Sequence, residues 1–367
     1  MRKIILTLIA CVVILLAIEV TLRSVLFRHV SYSNSESIDR QLKERNARSD
    51  WNILFVGDSE TRWGINPEVI DAELAASGLR MHAFNHAFDG FGASWWPALL
   101  PKLLAEPALK NVKYVAVGVQ MIDVHRRIRD SGEDCGALQK PVLTSPFAKD
   151  LGVDGLCRDQ SWDGRLGKEV FGALWTVRHA PSVRALILPS FRQTSHELRF
   201  NSRKSGESVR GFEPHRSIAQ DKDSFESEFA RWKAQYNPER DFGPLPEAAW
   251  IKLTASGEFF DQLNEVVRKQ GRSLVLFALP TNPLVIDTFG RRDDYRRNSA
   301  LLAAWAQQRG VIFLDAGIRD VPNPDNYFSD MRHLSGEGAL HYSQWLGKAL
   351  AARLHENRQA APEAVRR

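Results

Sequence analysis

Residues Ile53–Thr61 read ILFVGDSET, in which four apolar residues run into a glycine, a carboxylate and a serine. A short continuous apolar run predicts a strand that is buried on both faces of a parallel sheet. Gly57 permits a sharp turn after that strand, and Asp58 and Ser59 are residue types that commonly cap the start of a helix. From this stretch alone, Ser59 is either a nucleophile or the polar start of a loop.

Similar apolar runs recur along the chain and alternate with helical patterns. We expect strands at 52–57, 80–85, 113–119, 273–279 and 311–315, and helices at 67–77, 94–105, 256–270, 293–309 and 336–355. Strands that alternate with helices predict a parallel sheet that is covered on both faces. The expected fold is therefore a flavodoxin-like, three-layer α/β sandwich of about five parallel strands.

Composition suggests where the domain begins, breaks and ends. The alternation stops over about 126–253, a segment rich in glycine, proline, serine and charge, which we interpret as a long insertion into a domain spanning 51–355. Residues 30–50 are polar and charged without an apolar period, which indicates a stalk. Residues 356–367 are expected to be a disordered tail.

The N-terminal residues predict a membrane anchor. Arg2 and Lys3 precede an apolar run, Ile4–Leu22, whose length of about 19 residues is close to what a bilayer crossing requires. No small-x-small cleavage site follows, so we expect residues 1–29 to be an uncleaved transmembrane helix. A lipoprotein-type box at Leu8–Cys11 is an alternative, and the basic residues that follow the run argue against export of the C-terminal side.

The overall composition is that of a globular protein. The chain has 367 residues, 44% of them hydrophobic, so disorder is not the expectation. The formal net charge of +5 would allow an acidic partner, but lysine and arginine are scattered and no nucleic-acid motif accompanies them. We expect no nucleic-acid partner and interpret the charge as a hint of contact with anionic lipid or polymer.

Two cysteines lie in the predicted insertion. Cys135 and Cys157 fall in one polar segment of a domain that we expect to be exported. They are predicted to form a disulfide that closes a loop of about 20 residues, worth about 3 kcal/mol on the chain-entropy model. Unlinked thiols are the alternative. No metal site is predicted, because neither cysteine has a second ligand at close spacing and His82 and His86 lack a third.

A base and an acid for Ser59 are found near the other end of the chain. Residues Asp330–Gly338 read DMRHLSGEG and lie between the last predicted strand and the last helix. Asp330 and His333 are three residues apart, so in a turn the carboxylate can reach the imidazole and fix one tautomer. A helix entry capped by Asp330, with a surface His333, is the alternative. Both stretches follow strands, and the carboxyl ends of parallel strands share one edge of the sheet.

Together the two stretches resemble the SGNH, or GDSL, hydrolase superfamily. Members carry their nucleophile in a Gly-Asp-Ser block after the first strand and their histidine in a C-terminal Asp-x-x-His block. The resemblance covers 52–125 and about 256–350 and implies a catalytic triad of Ser59, His333 and Asp330.

The middle blocks of that superfamily resemble this chain less closely. Asn85–Gly90 resembles the second block, so the resemblance gives the Gly90 N–H a place in the oxyanion hole beside the Ser59 N–H. Gln120 stands where the third block has its asparagine donor, and a glutamine amide would donate from a longer arm. The oxyanion hole expected from the resemblance therefore consists of Ser59, Gly90 and Gln120.

The anchor, the stalk and the insertion resemble the membrane-tethered branch that acylates exopolysaccharides or cell-wall polymers, of the alginate O-acetyltransferase and teichoic-acid D-alanylation type. This implies a single-pass protein of the cytoplasmic membrane whose catalytic domain lies in the periplasm or outside the cell. Its expected partners are an acyl donor, a glycan acceptor and a multi-spanning membrane acyltransferase, and no cofactor is expected. An anchored carbohydrate or lipid esterase and a catalytically silent assembly subunit remain alternatives.

Two further side chains are candidates for contact with substrate. Arg62 and its neighbour Trp63 are expected near the entrance, where Arg62 would meet an anionic sugar. Trp95 offers a ring on which a sugar would stack. A solvated Arg62 and a Trp95 packed in the core are the alternatives.

Overall fold

The computed structural model of the chain describes residues 41–88, 96–121, 209–220, 222–235, 254–255, 258–288, 290–317 and 324–364, together with seven residues between 10 and 20. Its contacts divide the chain into two units, one of residues 41–134 with 203–367 and one of residues 1–40 with 135–202. Everything below concerns the first unit unless stated. In the second, the described residues are exposed and helical and belong to the predicted anchor.

The N-terminal prediction is largely outside the described residues. Within the ranges given above, none of the helices combines the length and the apolar character that a membrane crossing requires. Most of the apolar run Ile4–Leu22 is not among those residues. The anchor therefore stays a prediction.

Five parallel strands form one sheet, as the sequence predicts. The strands are β1 (Ile53–Val56), β2 (Ala83–Asn85), β3 (Tyr114–Val119), β4 (Ser273–Ala278) and β5 (Ile312–Leu314). Their order in the sheet is β2-β1-β3-β4-β5, the order of a doubly wound, flavodoxin-like fold. β1 pairs in parallel with β2 on one side and β3 on the other, and all four of its residues are buried.

Nine α-helices from Ser59 onward accompany the sheet within the described ranges, in addition to the helical residues 41–46. They are α1 (Ser59–Gly64), α2 (Pro67–Ala76), α3 (Trp96–Leu103), α4 (Lys222–Gln235), α5 (Phe259–Lys269), α6 (Pro283–Thr288), α7 (Arg292–Arg309), α8 (Pro324–Tyr327) and α9 (Gly336–Ala364). Pro67 opens α2 behind an Asn66 cap, and Gly310 ends α7 in the left-handed conformation. Both are the positions at which these residue types are favourable.

The helices cover the sheet in pairs. α2 packs against α9, and α3 packs against α5. Ile70 and Leu74 of α2 and Leu346 of α9 join Phe55 and Phe277 of the strands in one apolar core. The strand residues that alternate with these point to the opposite face, so burial on both faces explains the continuous apolar runs in the sequence.

The structure differs from the sequence prediction in more than the exact ends of the elements: α1, α6 and α8 are helices that the sequence did not predict, and three segments differ in extent or assignment. α9 continues to Ala364 through a segment rich in alanine, glutamate and glutamine, which are strong helix formers, whereas the sequence predicts a disordered tail from 356. Residues 41–46 of the predicted stalk are helical, with Gln41, Leu42 and Arg45 buried. Residues 209–220 and α4, which the sequence assigns to the insertion, belong to the same unit as the sheet.

Candidate active site

The candidate site lies at the carboxyl edge of the sheet, where the predicted residues converge. Ser59 follows β1, Gln120 follows β3, and the segment that contains Asp330 and His333 follows β5. Because all the strands are parallel, these positions share one edge.

Ser59 is the first residue of α1, and the local sequence explains why that helix starts there. The Asp58 carboxylate accepts a hydrogen bond from the Glu60 N–H at 3.0 Å and caps the helix. Gly57 makes the approach possible, because a Cβ at that position would lie 2.0 Å from Thr61 Oγ1. A turn of this tightness presents the Ser59 hydroxyl at the edge of the sheet.

The far end of α1 is held by a buried asparagine, Asn85, which is the last residue of β2. The Asn85 amide donates to the Thr61 carbonyl at 2.9 Å and to the Ile65 carbonyl at 2.9 Å. The Thr61 carbonyl also accepts the Ile65 N–H at 3.1 Å, so the Asn85 side chain adds to the backbone hydrogen bond at the end of this short helix. Asn85 thereby fixes the position of the helix that carries Ser59.

Asp330 and His333 lie in a tight loop before α9. The Ser329 N–H donates to the His333 carbonyl at 2.9 Å, and Phe328 and Leu334 form an antiparallel bridge. Inside the loop, Asp330 Oδ1 accepts from the backbone N–H groups of Arg332 and His333, each at 2.8 Å. The aspartate therefore organises the turn that brings its carboxylate to the imidazole.

Ser59, His333 and Asp330 form a continuous hydrogen-bonded series. Ser59 Oγ lies 2.8 Å from His333 Nε2, and His333 Nδ1 lies 2.9 Å from Asp330 Oδ2. When Nδ1 carries the proton and its N–H donates a hydrogen bond to Asp330, Nε2 is free to accept the Ser59 hydroxyl proton. Asp330 and His333 are buried, and Ser59 is partly exposed.

The surroundings of Asp330 keep it ionised. Burial alone would raise the pKa of Asp330, but the adjacent His333 and the two backbone N–H donors outweigh burial and hold that pKa well below its usual value. Separately, the Asn282 amide in the loop after β4 donates to the backbone carbonyl of Asp330 at 3.3 Å, a contact that holds the loop and does not involve the carboxylate. An ionised carboxylate fixes the tautomer that the serine requires.

Trp63, which lies on the same helix as Ser59, contacts the imidazole of His333. Its ring centroid is 4.0 Å from that of His333, with the planes at 37°. The Trp63 indole also stacks on the His215 ring, with 3.5 Å between the ring centroids and 15° between the planes. Trp63 follows Ser59 by four residues, which places both side chains on one face of α1. That spacing is the feature of the sequence that points to Trp63 as part of the site.

Arg62 is buried and does not line an entrance, so its prediction as a substrate contact is wrong. Its side chain is 3% exposed, and its Nη2 lies 3.2 Å from Oε2 of Glu213, which is 4% exposed. The charge is therefore satisfied by an internal partner from a distant part of the chain. The sequence prediction failed because no local pattern around Arg62 indicates that Glu213 is its partner.

The predicted oxyanion donors are described only in part. Ser59 and Gln120 lie at the expected edge, and Gln120 is 8% exposed directly after β3. Gly90 and Trp95 lie outside the described residues, as does the predicted disulfide between Cys135 and Cys157.

Four residues at or near the site were missed by sequence reasoning: Asn85 and Asn282 as hydrogen-bond donors, and Glu213 and His215 as packing partners. Asn85 sits in a block that the sequence singled out for its glycine. The other three have no distinguishing pattern in the sequence, because their roles depend on contacts with residues more than 40 positions away.

A serine hydroxyl, an imidazole and a carboxylate in this order can perform nucleophilic catalysis, because the imidazole accepts the proton as the serine attacks. No protein-family model matches the chain, and no curated protein gives a significant match to it.

Proposed function

We propose that this chain is a serine-dependent acyl-transferring enzyme that uses Ser59, His333 and Asp330. The observation that carries the proposal is the pair of contacts at His333: 2.8 Å from Nε2 to Ser59 Oγ and 2.9 Å from Nδ1 to Asp330 Oδ2. The two partners come from opposite ends of the chain, 274 residues apart for Ser59 and His333. A capping serine and a surface histidine would not require that convergence.

The reaction follows as a double displacement. His333 Nε2 takes the proton of Ser59 as Ser59 Oγ bonds to the carbonyl carbon of an acyl ester, and the imidazolium then protonates the leaving alcohol. An acyl-Ser59 ester remains. In the second half, His333 takes the proton of an incoming hydroxyl, whose oxygen attacks the ester carbon, and returns that proton to Ser59.

The negative charge on the carbonyl oxygen needs donors. The Ser59 N–H, at the start of α1, and the Gln120 amide are the proposed donors, with Gly90 added by the resemblance to the SGNH superfamily. Removal of one such donor typically slows the reaction by about 10²–10³-fold.

We assign the acceptor from the sequence outside the site. The apolar N-terminal run and the resemblance to membrane-tethered SGNH-like proteins favour an O-acetyltransferase that modifies an exopolysaccharide or another envelope glycan outside the cytoplasmic membrane. A multi-spanning membrane acyltransferase would then supply the acyl group. An esterase with the same triad differs only in using water as the acceptor.

The test uses the full-length protein in detergent with p-nitrophenyl acetate, with and without acetyl-free oligosaccharides. Release of p-nitrophenol that rises with oligosaccharide, together with acetylated sugar, supports the transferase. Release of acetate alone supports the esterase. If the Ser59→Ala protein retains the wild-type rate, or if neither protein turns over, the proposed enzyme activity is contradicted.

A further inference from the structure

A segment that the sequence assigns to the insertion reaches both halves of the candidate site. We call residues 209–220 the buttress segment. The Glu213 N–H donates to the Arg62 carbonyl at 3.3 Å, and the Gly336 N–H donates to the His215 carbonyl at 2.7 Å. Arg62 belongs to the helix of Ser59, and Gly336 begins α9 directly after the loop of His333. The buttress segment therefore connects the nucleophile to its base.

His215 is linked to His333 through the ring of Trp63. The Trp63 indole lies between His215, at 3.5 Å and 15°, and His333, at 4.0 Å and 37°. Trp63 and His215 are each 1% exposed. Trp63 thus has no room to move away from His333 while His215 is in place.

The two hydrogen bonds of the His333 imidazole do not by themselves fix the orientation of its ring. Its two hydrogen bonds, to Ser59 and Asp330, fix the ring at two nitrogen atoms but leave it able to tilt about the line that joins them. A flat indole against one face of His333 restrains that tilt. When the imidazole accepts the proton of Ser59, the same indole face also stabilises the positive charge.

Glu213 holds the neighbouring residue of α1, Arg62. Its carboxylate pairs with Arg62, the residue directly before Trp63, and both side chains are almost fully buried. A buried ion pair has a narrow range of acceptable geometries, because leaving either charge unpaired is costly. Glu213 and His215 thus hold adjacent residues of α1 from one short segment.

We propose that His215 and Glu213 are positioning residues for the triad, with His215 acting through Trp63 and Glu213 through Arg62. This rests on the proposed function for its effect on rate, but not for its effect on the geometry of His333. Neither residue touches the reacting atoms.

The rate test compares His215→Ala with His215→Phe, which retains a flat ring against Trp63. With p-nitrophenyl acetate, His215→Ala should lower kcat about 10- to 100-fold, as expected when a catalytic group is displaced by up to an ångström, and leave KM within twofold. His215→Phe should remain within about threefold of the wild-type kcat. Glu213→Gln should resemble His215→Ala.

The matched control is Arg210→Gln. Arg210 lies in the buttress segment and pairs with Asp71, away from the triad. This variant should keep the wild-type kcat even if its melting temperature falls. Equal losses of kcat in Arg210→Gln and His215→Ala, or a His215→Ala protein with wild-type kcat, would overturn the positioning role.

An independent readout does not need turnover. The proton between His333 Nδ1 and Asp330 should give a downfield proton NMR signal, assigned by its absence in His333→Gln. We expect this signal to weaken or vanish in His215→Ala and to persist in His215→Phe and Arg210→Gln. If the wild type shows no Ser59-dependent turnover, the proposed function fails, and the NMR signal alone then tests the positioning role. Persistence of the signal in His215→Ala would contradict that role.

Discussion

Asp330 makes two kinds of contact at the candidate site, one with the backbone of its own loop and one with the His333 imidazole. Its Oδ1 accepts the backbone N–H groups of Arg332 and His333, and its carboxylate meets His333 Nδ1. An amide in its place would keep the size of the side chain but present an N–H where the imidazole needs an acceptor. The tautomer of His333 would then reverse and remove the acceptor for the Ser59 proton.

Asp330→Asn should therefore lower kcat by about 10³–10⁴-fold while the protein remains folded. Steady-state kinetics with p-nitrophenyl acetate measures this, with circular dichroism to confirm folding. A kcat within tenfold of wild type would show that Asp330 only shapes the loop.

The pair of Arg62 and Glu213 makes a prediction about stability. Arg62→Met leaves the Glu213 carboxylate buried without this partner, which should cost about 3–5 kcal/mol in the free energy of unfolding. The double variant Arg62→Met, Glu213→Gln removes both charges and should be more stable than Arg62→Met alone. Urea denaturation measures both. Additive losses in the double variant would argue that the two side chains do not depend on each other.

Among single residues, the sequence predicted that Ser59, Asp330 and His333 come together, and their contacts agree with that. They stand out in the sequence because the two stretches that contain them each follow a predicted strand. Arg62 was placed wrongly, since its partner Glu213 is more than 150 positions away and no local pattern joins them. Long-range pairing of single side chains is decided by packing, which periodicity does not encode.

Among the elements, helix α1 packs very closely against strand β3. A Cβ on Gly118, in β3, would lie 2.4 Å from Thr61 Oγ1, with Leu279 Cδ1 at 3.1 Å and Phe277 Cζ at 3.2 Å. Thr61 is fully buried two residues after Ser59. The close approach of α1 to β3 therefore requires a glycine at 118.

Gly118→Ala should cost about 1–3 kcal/mol in the free energy of unfolding, because the added methyl group forces Thr61 and with it α1 to shift. Adding Thr61→Ala removes the nearest atom and should recover part of the loss. Thermal unfolding and kcat of the single and double variants test this. If Thr61→Ala gives no recovery in the Gly118→Ala background, the contact between α1 and β3 is not what limits substitution there.

The buried strands and most of the longer helices were predicted, and the short helices were not. The five strands and the helices α2, α3, α5, α7 and α9 match the sequence prediction, whereas α1, α4, α6 and α8 were not predicted as helices. Residues 41–46 and the buttress segment contain few apolar residues, of which Leu42, Phe212 and Ile218 are buried. Hydrogen bonds such as Gln41 Nε2 to the Asn85 carbonyl at 2.7 Å also hold these segments in place. Hydropathy patterns do not report contacts of that kind.

For the whole molecule, a buried histidine sets an expected pH dependence of stability. His86, after β2, is fully buried beside Phe84 and Phe88. Burial, assisted by the positive charge of Arg45, lowers the pKa of His86 well below its ordinary value of 6.5. Below pH 6.5 the unfolded chain thus binds a proton that the folded protein binds only at lower pH.

The free energy of unfolding should consequently fall as pH drops below 6.5, by up to about 1.4 kcal/mol per pH unit from this group. His86→Phe should reduce that slope by the same amount. Asp330 does not contribute in this range: its depressed pKa gives stability above an unfolded value of 3.8 that is lost only at lower pH. Urea denaturation at pH 7.5 and 5.5 measures the slope, and an unchanged slope in His86→Phe contradicts the assignment.

The central claim is that Ser59 becomes covalently acylated, and one measurement tests it most directly. Full-length protein is mixed with p-nitrophenyl acetate, quenched in acid within the first turnover and digested for mass spectrometry. We predict one acetyl group on Ser59 in the wild type and none at that position in His333→Gln. An unmodified Ser59 during turnover, or an acetyl group that accumulates on another residue, would contradict the account.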